Sequence, residues 1–450
     1  MEQICVGMVS LGCSKNQVDG EVMMADLERQ GFRVAEEAGL ADVAIVNTCG
    51  FIDNAKKEAV AEILELAKLK EEGKIQKIVV TGCMAQRYQQ EIRKELPEVD
   101  AVVGIGGNHL IGDVIREMMA RGYSELFPDK ENLWISGERR ITGPKHSAYL
   151  KIAEGCDHRC SYCAIPMIRG RYRSRSITDI EREAQKLVEA GARELVLIAQ
   201  DSSYYGMDIY GIASLPRLLK RLCKVEGLVW LRLLYCYPDA MTEELLETIA
   251  REEKIVKYLD IPLQHASGRI LRAMHRTGDR ASLEALIRKI REKIPGVTLR
   301  TTFITGFPGE TQEEFGELEE FIREMRFERM GCFAYSQEEG TPAAALPDQL
   351  EEEEKLRRSE LLTEIQMGIQ EEQGAAMLGK EIPVLVEGFD RYADCWFGRS
   401  PMDAPDIDGK VFFTAPDEQP QVGAFVRVLA TQCVEGDLMG QMLPAAPPAP

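Results

Sequence analysis

The sequence contains no apolar run that approaches the roughly 20 residues a helix needs to span a bilayer. Its first residues, MEQICVGMVSLGC, lack the basic leader and the small-residue cleavage site of a signal peptide. They are typical of a β-strand instead. These absences predict a protein without a membrane partner that works in the cytoplasm.

Positive charge is also scarce, because 55 Lys and Arg residues face 74 Asp and Glu residues and leave a net charge of −19. Nonspecific binding to nucleic acid depends on cationic side chains, so this balance argues against it. An acidic protein favours basic partners. The alternative is that the acidity serves only solubility.

Disulfide bonds are not expected, although the chain has 12 cysteines. Without an export signal, so many cysteines indicate thiolate ligands in a reducing compartment. A length of 450 residues predicts two to four domains. The apolar fraction of 45% is ordinary for a soluble globular protein.

Three of the cysteines form a Cys-x-x-x-Cys-x-x-Cys motif at Cys156, Cys160 and Cys163. Three thiolates this close can hold three irons of a [4Fe–4S] cluster and leave the fourth iron open to O and N donors. A structural zinc site would need a fourth ligand, and no further cysteine or suitable histidine follows. His158 lies inside the motif and is interpreted as a loop residue.

A second set, Cys13, Cys49 and Cys83, is spread along the first 83 residues, each cysteine just after a predicted strand. Parallel strands bring their carboxyl ends together at one sheet edge, where open α/β sheets place ligands. The three thiolates could therefore hold a second cluster. Buried cysteine is also a common core residue, and the spacing alone leaves that alternative open.

The first 125 residues alternate strands with helices, which predicts an N-terminal parallel α/β domain. The predicted strands are ICVGMVSL, VAIVNTC, KIVVTGC and VDAVVGI, and one predicted helix runs from Asp53 to Glu71. Residues 126–145 are predicted to form a linker.

A second pattern occupies residues 146–373, where six apolar strands alternate with amphipathic helices. Two of these helices are predicted to begin with capping boxes, at Thr178 and Thr311. Six βα units suit an open, partial (β/α)6 barrel with its site at the carboxyl ends of the strands. A charged helix over 350–373, containing EEEEKLRR, is expected to present a solvated face.

Residues 376–442 turn β-rich and predict a small antiparallel β-barrel. The tail at 443–450, LPAAPPAP, is expected to be disordered.

Several runs resemble known sequence signatures. KIAEGCDHRCSYCAIPMIRG resembles the radical S-adenosylmethionine (SAM) superfamily. SLGCSKNQVDGE, NTCGFI and TGCMAQR resemble the N-terminal signature of its methylthiotransferase family, and LIAQDSSYYG, IPLQHASGRILRAMHR and TTFITGFPGET are similar to its central domain. With a TRAM-like C-terminal barrel, the resemblance covers nearly the whole chain.

The resemblance implies a role for each cysteine set. Cys156, Cys160 and Cys163 would hold the cluster that binds SAM, and Cys13, Cys49 and Cys83 would hold an auxiliary [4Fe–4S] cluster that carries sulfur. The residues implied around SAM or the substrate are Tyr162, Gly306, Pro308 and Gly309 beside the adenosine, and Gln200, Asp201 and Gln264 in the cavity. The cysteines that match no ligand position are Cys5, Cys223, Cys236, Cys332, Cys395 and Cys433.

The implied reaction replaces an unactivated C–H bond with C–SCH3, which acid–base chemistry at pH 7 cannot do. One SAM would supply the methyl group to sulfur on the auxiliary cluster, and a second SAM would supply the 5′-deoxyadenosyl radical. An electron donor such as flavodoxin or ferredoxin is expected.

Methylthiotransferases modify either a tRNA adenosine next to the anticodon or an aspartate β-carbon of ribosomal protein S twelve. The run GRSPMDAPDIDGKVFF resembles the protein-modifying branch. Residues 376–450 contain 5 Lys and Arg against 11 Asp and Glu, a net of −6, which suits a basic protein better than a nucleic acid.

The carboxylates Asp403, Asp406 and Asp408 are accordingly expected to form an acidic recognition surface. Alternatively they serve turn chemistry around Pro405 and Gly409. A tRNA adenosine methylthiotransferase and a noncatalytic Fe–S or RNA-binding module remain the alternative functions.

Overall fold

The computed structural model describes residues 3–415 and 419–444. Its N-terminal part is a six-stranded parallel sheet with strand order β2-β1-β3-β4-β5-β6. The strands are β1 (Cys5–Ser10), β2 (Arg33–Val34), β3 (Val43–Thr48), β4 (Lys77–Thr81), β5 (Ala101–Val103) and β6 (Ser124–Leu126). The helices are α1 (Ser14–Arg29), α2 (Asp53–Glu71), α3 (Gly82–Arg87), α4 (Gln89–Glu95) and α5 (Ile111–Arg121).

Strand β3 explains the layering of this domain, because all six of its residues are buried. A strand that is apolar on both faces belongs in the middle of a parallel sheet with helices on both sides. The four predicted strands are present, and the short edge strands β2 and β6 complete the sheet. Strands β1, β3 and β4 are neighbours, so their carboxyl ends lie side by side.

The central part contains six parallel strands in the order β14-β13-β12-β11-β10-β7, which confirms the predicted open barrel. The strands are β7 (Ser147–Lys151), β10 (Glu194–Ile198), β11 (Trp230–Leu233), β12 (Ile255–Asp260), β13 (Thr298–Thr305) and β14 (Arg329–Ala334), and a short antiparallel pair is formed by β8 (Ala153–Glu154) and β9 (Arg173–Ser174). The helices are α6 (Ile165–Arg169), α7 (Ile177–Glu189), α8 (Met207–Tyr210), α9 (Leu215–Leu222), α10 (Glu243–Arg251), α11 (Gly268–Ala273), α12 (Arg280–Lys293), α13 (Gln312–Met325) and α14 (Glu352–Ala375).

One of the two predicted capping boxes is present. Thr311 caps α13 by accepting a hydrogen bond from the backbone of Glu314, and Glu314 reciprocates. The box predicted at Thr178 is wrong, because α7 begins two residues earlier and Ser176 caps it instead. Thr178 therefore lies inside the first helical turn, where its hydroxyl cannot act as the N-cap.

The charged helix α14 is less solvated than expected. It packs against β14, the last strand of the open barrel, and buries Lys355 and Arg358. Arg358 donates a 2.8 Å hydrogen bond to the carboxylate of Glu310. The prediction of solvent exposure is therefore wrong for Lys355 and Arg358. Their long aliphatic stems pack against the edge of the central sheet.

The C-terminal part is a closed five-stranded barrel with the order β15-β16-β17-β19-β18. Its strands are β15 (Glu381–Asp390), β16 (Cys395–Arg399), β17 (Val411–Thr414), β18 (Phe425–Val434) and β19 (Asp437–Met442). The predicted antiparallel barrel is confirmed, with β17 and β19 as its one parallel pair in the part of the chain described. The tail at 443–450 is expected to be disordered, and its residues 445–450 lie outside the described part of the chain.

The C-terminal barrel docks on the face of the central sheet that the helices leave free. Successive residues of β10 point to opposite faces of the sheet. Leu195 and Leu197 pack towards the helices, whereas Val196 and Ile198 belong to an apolar cluster with Ala404. Residues 400–409, between β16 and β17, therefore line the inside of the partial barrel.

The expected acidic recognition surface is wrong for two of its three carboxylates. Asp403 is only 3% exposed and accepts hydrogen bonds from Arg329 and from Ser400. Asp408 is largely buried and accepts a hydrogen bond from the hydroxyl of Tyr258. These carboxylates bind the inside of the barrel, and only Asp406 is exposed.

This arrangement predicts unequal effects of two similar substitutions. D403N should lower the thermal midpoint of unfolding, because Arg329 would stay buried without its carboxylate and charged hydrogen bonds contribute about 1.5–3 kcal/mol. D406N removes the same charge from an exposed site and should leave the midpoint nearly unchanged. Circular dichroism melts of both variants test this, and equal midpoints would contradict the docking role of Asp403.

None of the helices within residues 3–415 and 419–444 combines the length and the apolar character that crossing a membrane requires.

Candidate active site

The Cys156–Cys163 motif forms the loop between β8 and α6, at the carboxyl end of the first barrel strand. Burial and the charges of neighbouring groups raise the pKa of Cys156 to about 12, although a backbone hydrogen bond from His158 opposes the shift. Burial likewise raises the pKa of Cys163 to about 12. Thiols in such surroundings lose their proton readily only beside a strong cation. Iron bound by the sulfur atoms would be such a cation.

The second cysteine set converges as predicted. Cys13 precedes α1, Cys49 follows β3, and Cys83 lies in the first turn of α3 after β4. Burial raises the pKa of Cys83 to about 12, with Cys13 and Cys49 near enough for their charges to add to the shift and Arg169 opposing it. The three thiols therefore lie near one another at this edge of the sheet.

Glycines let these loops touch. A Cβ atom at Gly12 would lie 2.5 Å from the Cβ of Cys49, and one at Gly82 would lie 2.4 Å from the carbonyl oxygen of Thr48. Both glycines have positive φ, at +85° and +92°, which other residues rarely adopt. Gly12 and Gly82, the neighbours of Cys13 and Cys83, are therefore required for the close packing of the loops at this sheet edge.

Neither set is built for a single metal ion. Among the residues described, no three Cys, His, Asp or Glu side chains lie close enough to share one ion. A [4Fe–4S] cluster instead gives each thiolate its own iron, so its three ligands stand further apart. Both triplets combine buried and partly exposed thiols and supply three sulfur donors each, which suits such a cluster.

A buried network of charges joins the two sites, and it was not predicted. Arg169, at the end of α6, donates to the Sγ of Cys83 over 3.2 and 3.3 Å. The same guanidinium pairs with Asp19 of α1 and, over 3.2 Å, with Glu154 of β8. Lys151 pairs with both carboxylates. The N-terminal domain and the barrel are thus locked together beside the cysteines.

Two of the predicted cavity residues support the cysteine loop. Gln200 donates a 2.5 Å hydrogen bond to Glu154, which places it in the same network. Asp201 lies 2.7 Å from Nε2 of His158 and accepts a 2.9 Å hydrogen bond from the backbone of Ser203. Both side chains therefore have partners within the protein. His158 lies in a loop, as predicted, and its ring contacts Asp201 there.

Two aromatic and cationic contacts at the cysteine loop were missed. The hydroxyl of Tyr237 lies 2.7 Å from Sγ of Cys160, and its ring stacks on His158 at a centroid distance of 3.7 Å. Arg276 covers the same ring at 3.8 Å. Tyr237 follows β11, and Arg276 is the last residue of the run IPLQHASGRILRAMHR that resembles the family's central domain, but neither signal indicates these contacts.

The predicted adenosine-binding residues lie near one another. Tyr162 packs on an apolar cluster that contains Phe307 and Tyr335. Gly306 has φ of +70°, Gly309 follows Pro308 with φ of +74°, and Glu310 accepts hydrogen bonds from the backbone of Gly306 and Phe307. Phe307 of this turn and Tyr162 therefore belong to one apolar cluster.

Gln264 adopts a left-handed conformation with φ of +74° at the end of β12. It is followed by His265, whose pKa burial lowers to about 3, so the imidazole is neutral at physiological pH. A left-handed residue other than glycine marks a backbone that the surrounding fold forces into place, often at functional sites.

The six unassigned cysteines remain outside both triplets. Cys236 is fully buried near Asp201 and Asp260, and burial and their charges raise its pKa. The others are Cys5, Cys223 and Cys395, which are buried, and Cys332 and Cys433, which are partly exposed.

This fold and its cysteine sites define a radical SAM enzyme. The sequence profile of the Radical SAM superfamily matches residues 150–322, that of the uncharacterized protein family UPF0004 matches residues 5–104, and that of the TRAM domain matches residues 378–443. Among solved structures, the radical SAM methyltransferase TsrM from Kitasatospora setae has a TM-score of 0.56 at 15% identity, covering 85% of this chain and 78% of that one. At that identity the likeness concerns the fold alone.

Curated relatives are much more similar. The protein named ribosomal protein uS12 methylthiotransferase RimO from Thermoanaerobacter sp. (strain X514) is 47% identical over 438 residues, covering 97% of this chain and 99% of the relative. The protein of the same name from Desulforamulus reducens is 46% identical over 441 residues, covering 97% and 99%. The chain therefore belongs to the RimO family of radical SAM methylthiotransferases, as the motifs predicted.

Proposed function

We propose that this enzyme converts the β-carbon C–H bond of an aspartate in ribosomal protein S twelve (uS12) to C–SCH3. The observation that carries the proposal is full-length identity of 44–47% to relatives named for this activity. Two cysteine triplets, joined by one buried charge network, would supply the sites that such a reaction needs.

In this proposal Cys156, Cys160 and Cys163 ligate a [4Fe–4S] cluster whose open iron binds SAM, and Cys13, Cys49 and Cys83 ligate the auxiliary cluster. When bound, the two clusters and SAM supply the radical chemistry and the methylthio group. A flavodoxin or ferredoxin is the proposed electron donor.

The protein's own contribution is placement and exclusion of water. Arg169 holds Cys83 with two N–H donors and is itself fixed by Asp19 and Glu154, so the two halves of the site keep one geometry. Tyr237 and Arg276 cover Cys160 on the barrel side. Such fixed donors in a dry site are more effective than the same groups in water.

The remaining assignments are as follows. Tyr162, Gly306, Pro308 and Gly309 flank the adenosine, and Gln264 lines the cavity. We infer a supporting role for Gln200 and Asp201, because both of their side chains are engaged by groups that hold the cysteine loop. Their amide and carboxylate would orient Glu154 and His158.

The test is mass spectrometry of uS12 and of total tRNA from a strain that lacks the gene, with and without the gene restored. We expect uS12 to lose one methylthio group in the deletion strain and to regain it on complementation, with tRNA unchanged. Loss of a methylthioadenosine from tRNA, with uS12 unaffected, would replace the proposal by the tRNA alternative.

A further inference from the structure

Lys15 is a buried lysine beside the auxiliary cysteine set. It lies in the first turn of α1, two residues after Cys13, and is 8% exposed. Its Nζ atom lies 3.4 Å from the centroid of the Tyr235 ring. Tyr235 belongs to the barrel, just after β11, and has φ of +63°. The ammonium group therefore stands between the two domains, next to Cys13.

Lys15 differs from the other buried lysines in having no carboxylate partner. Lys151 pairs with Asp19 and Glu154, and Lys355 pairs with Glu352. Within the part of the chain that the structure describes, no carboxylate lies within 4.0 Å of Lys15 Nζ, and the ammonium contacts the side chain of Tyr235 instead. The nearby cation Arg169 is paired twice, so the missing counter-charge is specific to Lys15.

An unpaired buried ammonium is costly, because burial removes its hydration. A cation–π contact with a desolvated tyrosine offsets part of that cost, at about 2 kcal/mol or more. A buried ammonium at Lys15 is physically reasonable if the substrate brings an anion to it. The protein then holds the cation in position before the substrate binds. The substrate of the proposed reaction brings such an anion, because the reacting β-carbon of aspartate carries the carboxylate.

We propose that Lys15 binds the side-chain carboxylate of the substrate aspartate and thereby selects it. This inference rests on the proposed function. A carboxylate at Nζ would place the adjacent β-carbon beside the pocket of Cys13, Cys49 and Cys83, from which the methylthio group comes. The Tyr235 ring would fix the ammonium and close the barrel side. Asparagine and a neutral nucleobase lack the charge, so the contact distinguishes aspartate from both.

The test measures how tightly the enzyme binds purified uS12 and a uS12 variant in which the modified aspartate is replaced by asparagine. Mass spectrometry of uS12 identifies the position to replace. The loaded wild-type enzyme should bind the aspartate form about ten- to a hundredfold more tightly, the usual effect of a buried charged hydrogen bond. In K15M the two forms should bind equally, at the affinity of the asparagine form. K15R keeps the charge and should retain most of the preference.

K56M is the matched control. Lys56 also comes from the N-terminal domain, lies 5.3 Å from a tyrosine ring at Tyr88, and crosses to the barrel, but Glu338 already pairs with it. It should keep the wild-type preference for aspartate. Iron content and circular dichroism of every variant establish that the clusters and the fold are intact.

Two outcomes would overturn the inference while leaving the proposed function in place. One is a K15M enzyme that still prefers aspartate. The other is a K15M enzyme whose auxiliary cluster shifts its reduction potential while the preference persists, which would make Lys15 a counter-charge to the cluster. If wild-type enzyme neither binds nor modifies uS12, the proposed function itself fails.

Discussion

Replacing Cys156, Cys160 and Cys163 together with Ala should leave about half of the iron and abolish SAM cleavage. Two [4Fe–4S] clusters correspond to about eight irons per chain, and each triplet accounts for about four. One cluster should survive the loss of the other because the two triplets lie on different domains, one on the N-terminal sheet edge and one on the loop after β8. Iron analysis of anaerobically reconstituted protein and release of 5′-deoxyadenosine measure the two effects.

The complementary variant, with Cys13, Cys49 and Cys83 replaced by Ala, should also halve the iron but retain SAM cleavage. It should no longer methylthiolate uS12. A double substitution of the partly exposed Cys332 and Cys433 is the control and should keep all of the iron. If the variant without Cys13, Cys49 and Cys83 kept all of its iron, these cysteines would not hold an auxiliary cluster.

The positions of the two cysteine sets in the fold could be predicted from the sequence, whereas their role as cluster ligands stays a proposal. Cys156, Cys160 and Cys163 are fixed by spacing within eight residues. Cys13, Cys49 and Cys83 were predictable because parallel strands align their carboxyl ends, so three short motifs after β1, β3 and β4 must meet. The barrel strands were predictable for a similar reason, since their apolar runs are long and separated by amphipathic helices.

The contacts between domains could not be predicted from one sequence. Arg169 reaches Cys83 across 86 residues, and Lys15 meets Tyr235 only because the N-terminal domain lies over the barrel. The acidic run around Asp403 illustrates the error that results. Its local charge predicts an exposed surface, but Arg329, 74 residues away, pairs with it inside the barrel. Charge in a sequence does not show which cations the fold will bring to it.

The second large effect concerns Glu194, which joins the C-terminal barrel to the central sheet. This fully buried carboxylate at the start of β10 receives hydrogen bonds from Arg232 over 2.9 Å and from Arg399 of β16 over 2.5 Å. Burial by itself would raise the pKa of Glu194, but Arg399 and Arg232 outweigh it and hold the pKa at about 2. Ser147 donates a further hydrogen bond over 2.9 Å.

A carboxyl group whose pKa is lower in the folded state stabilises the fold above its unfolded pKa of 4.5. That contribution should be complete at pH 7 and should be lost as the pH falls from about 4.5 to about 2. The shift corresponds to roughly 3 kcal/mol, within the range for removing one partner of a buried pair. We therefore expect E194Q to be destabilised by about 3 kcal/mol at pH 7, with the C-terminal barrel detaching first.

Thermal melts of wild type and E194Q from pH 7 to about pH 2.5 test this, together with limited proteolysis of the link between the barrels. The difference between the two midpoints should be largest at pH 7 and should shrink below pH 4.5, because the unfolded wild-type chain then takes up a proton that the folded chain, with a pKa of about 2 at Glu194, does not bind. E181Q, which breaks the more exposed pair with Arg221, is the control and should melt nearly as wild type. A gap that stays constant with pH would show that Glu194 stabilises the fold through packing and not through its charge.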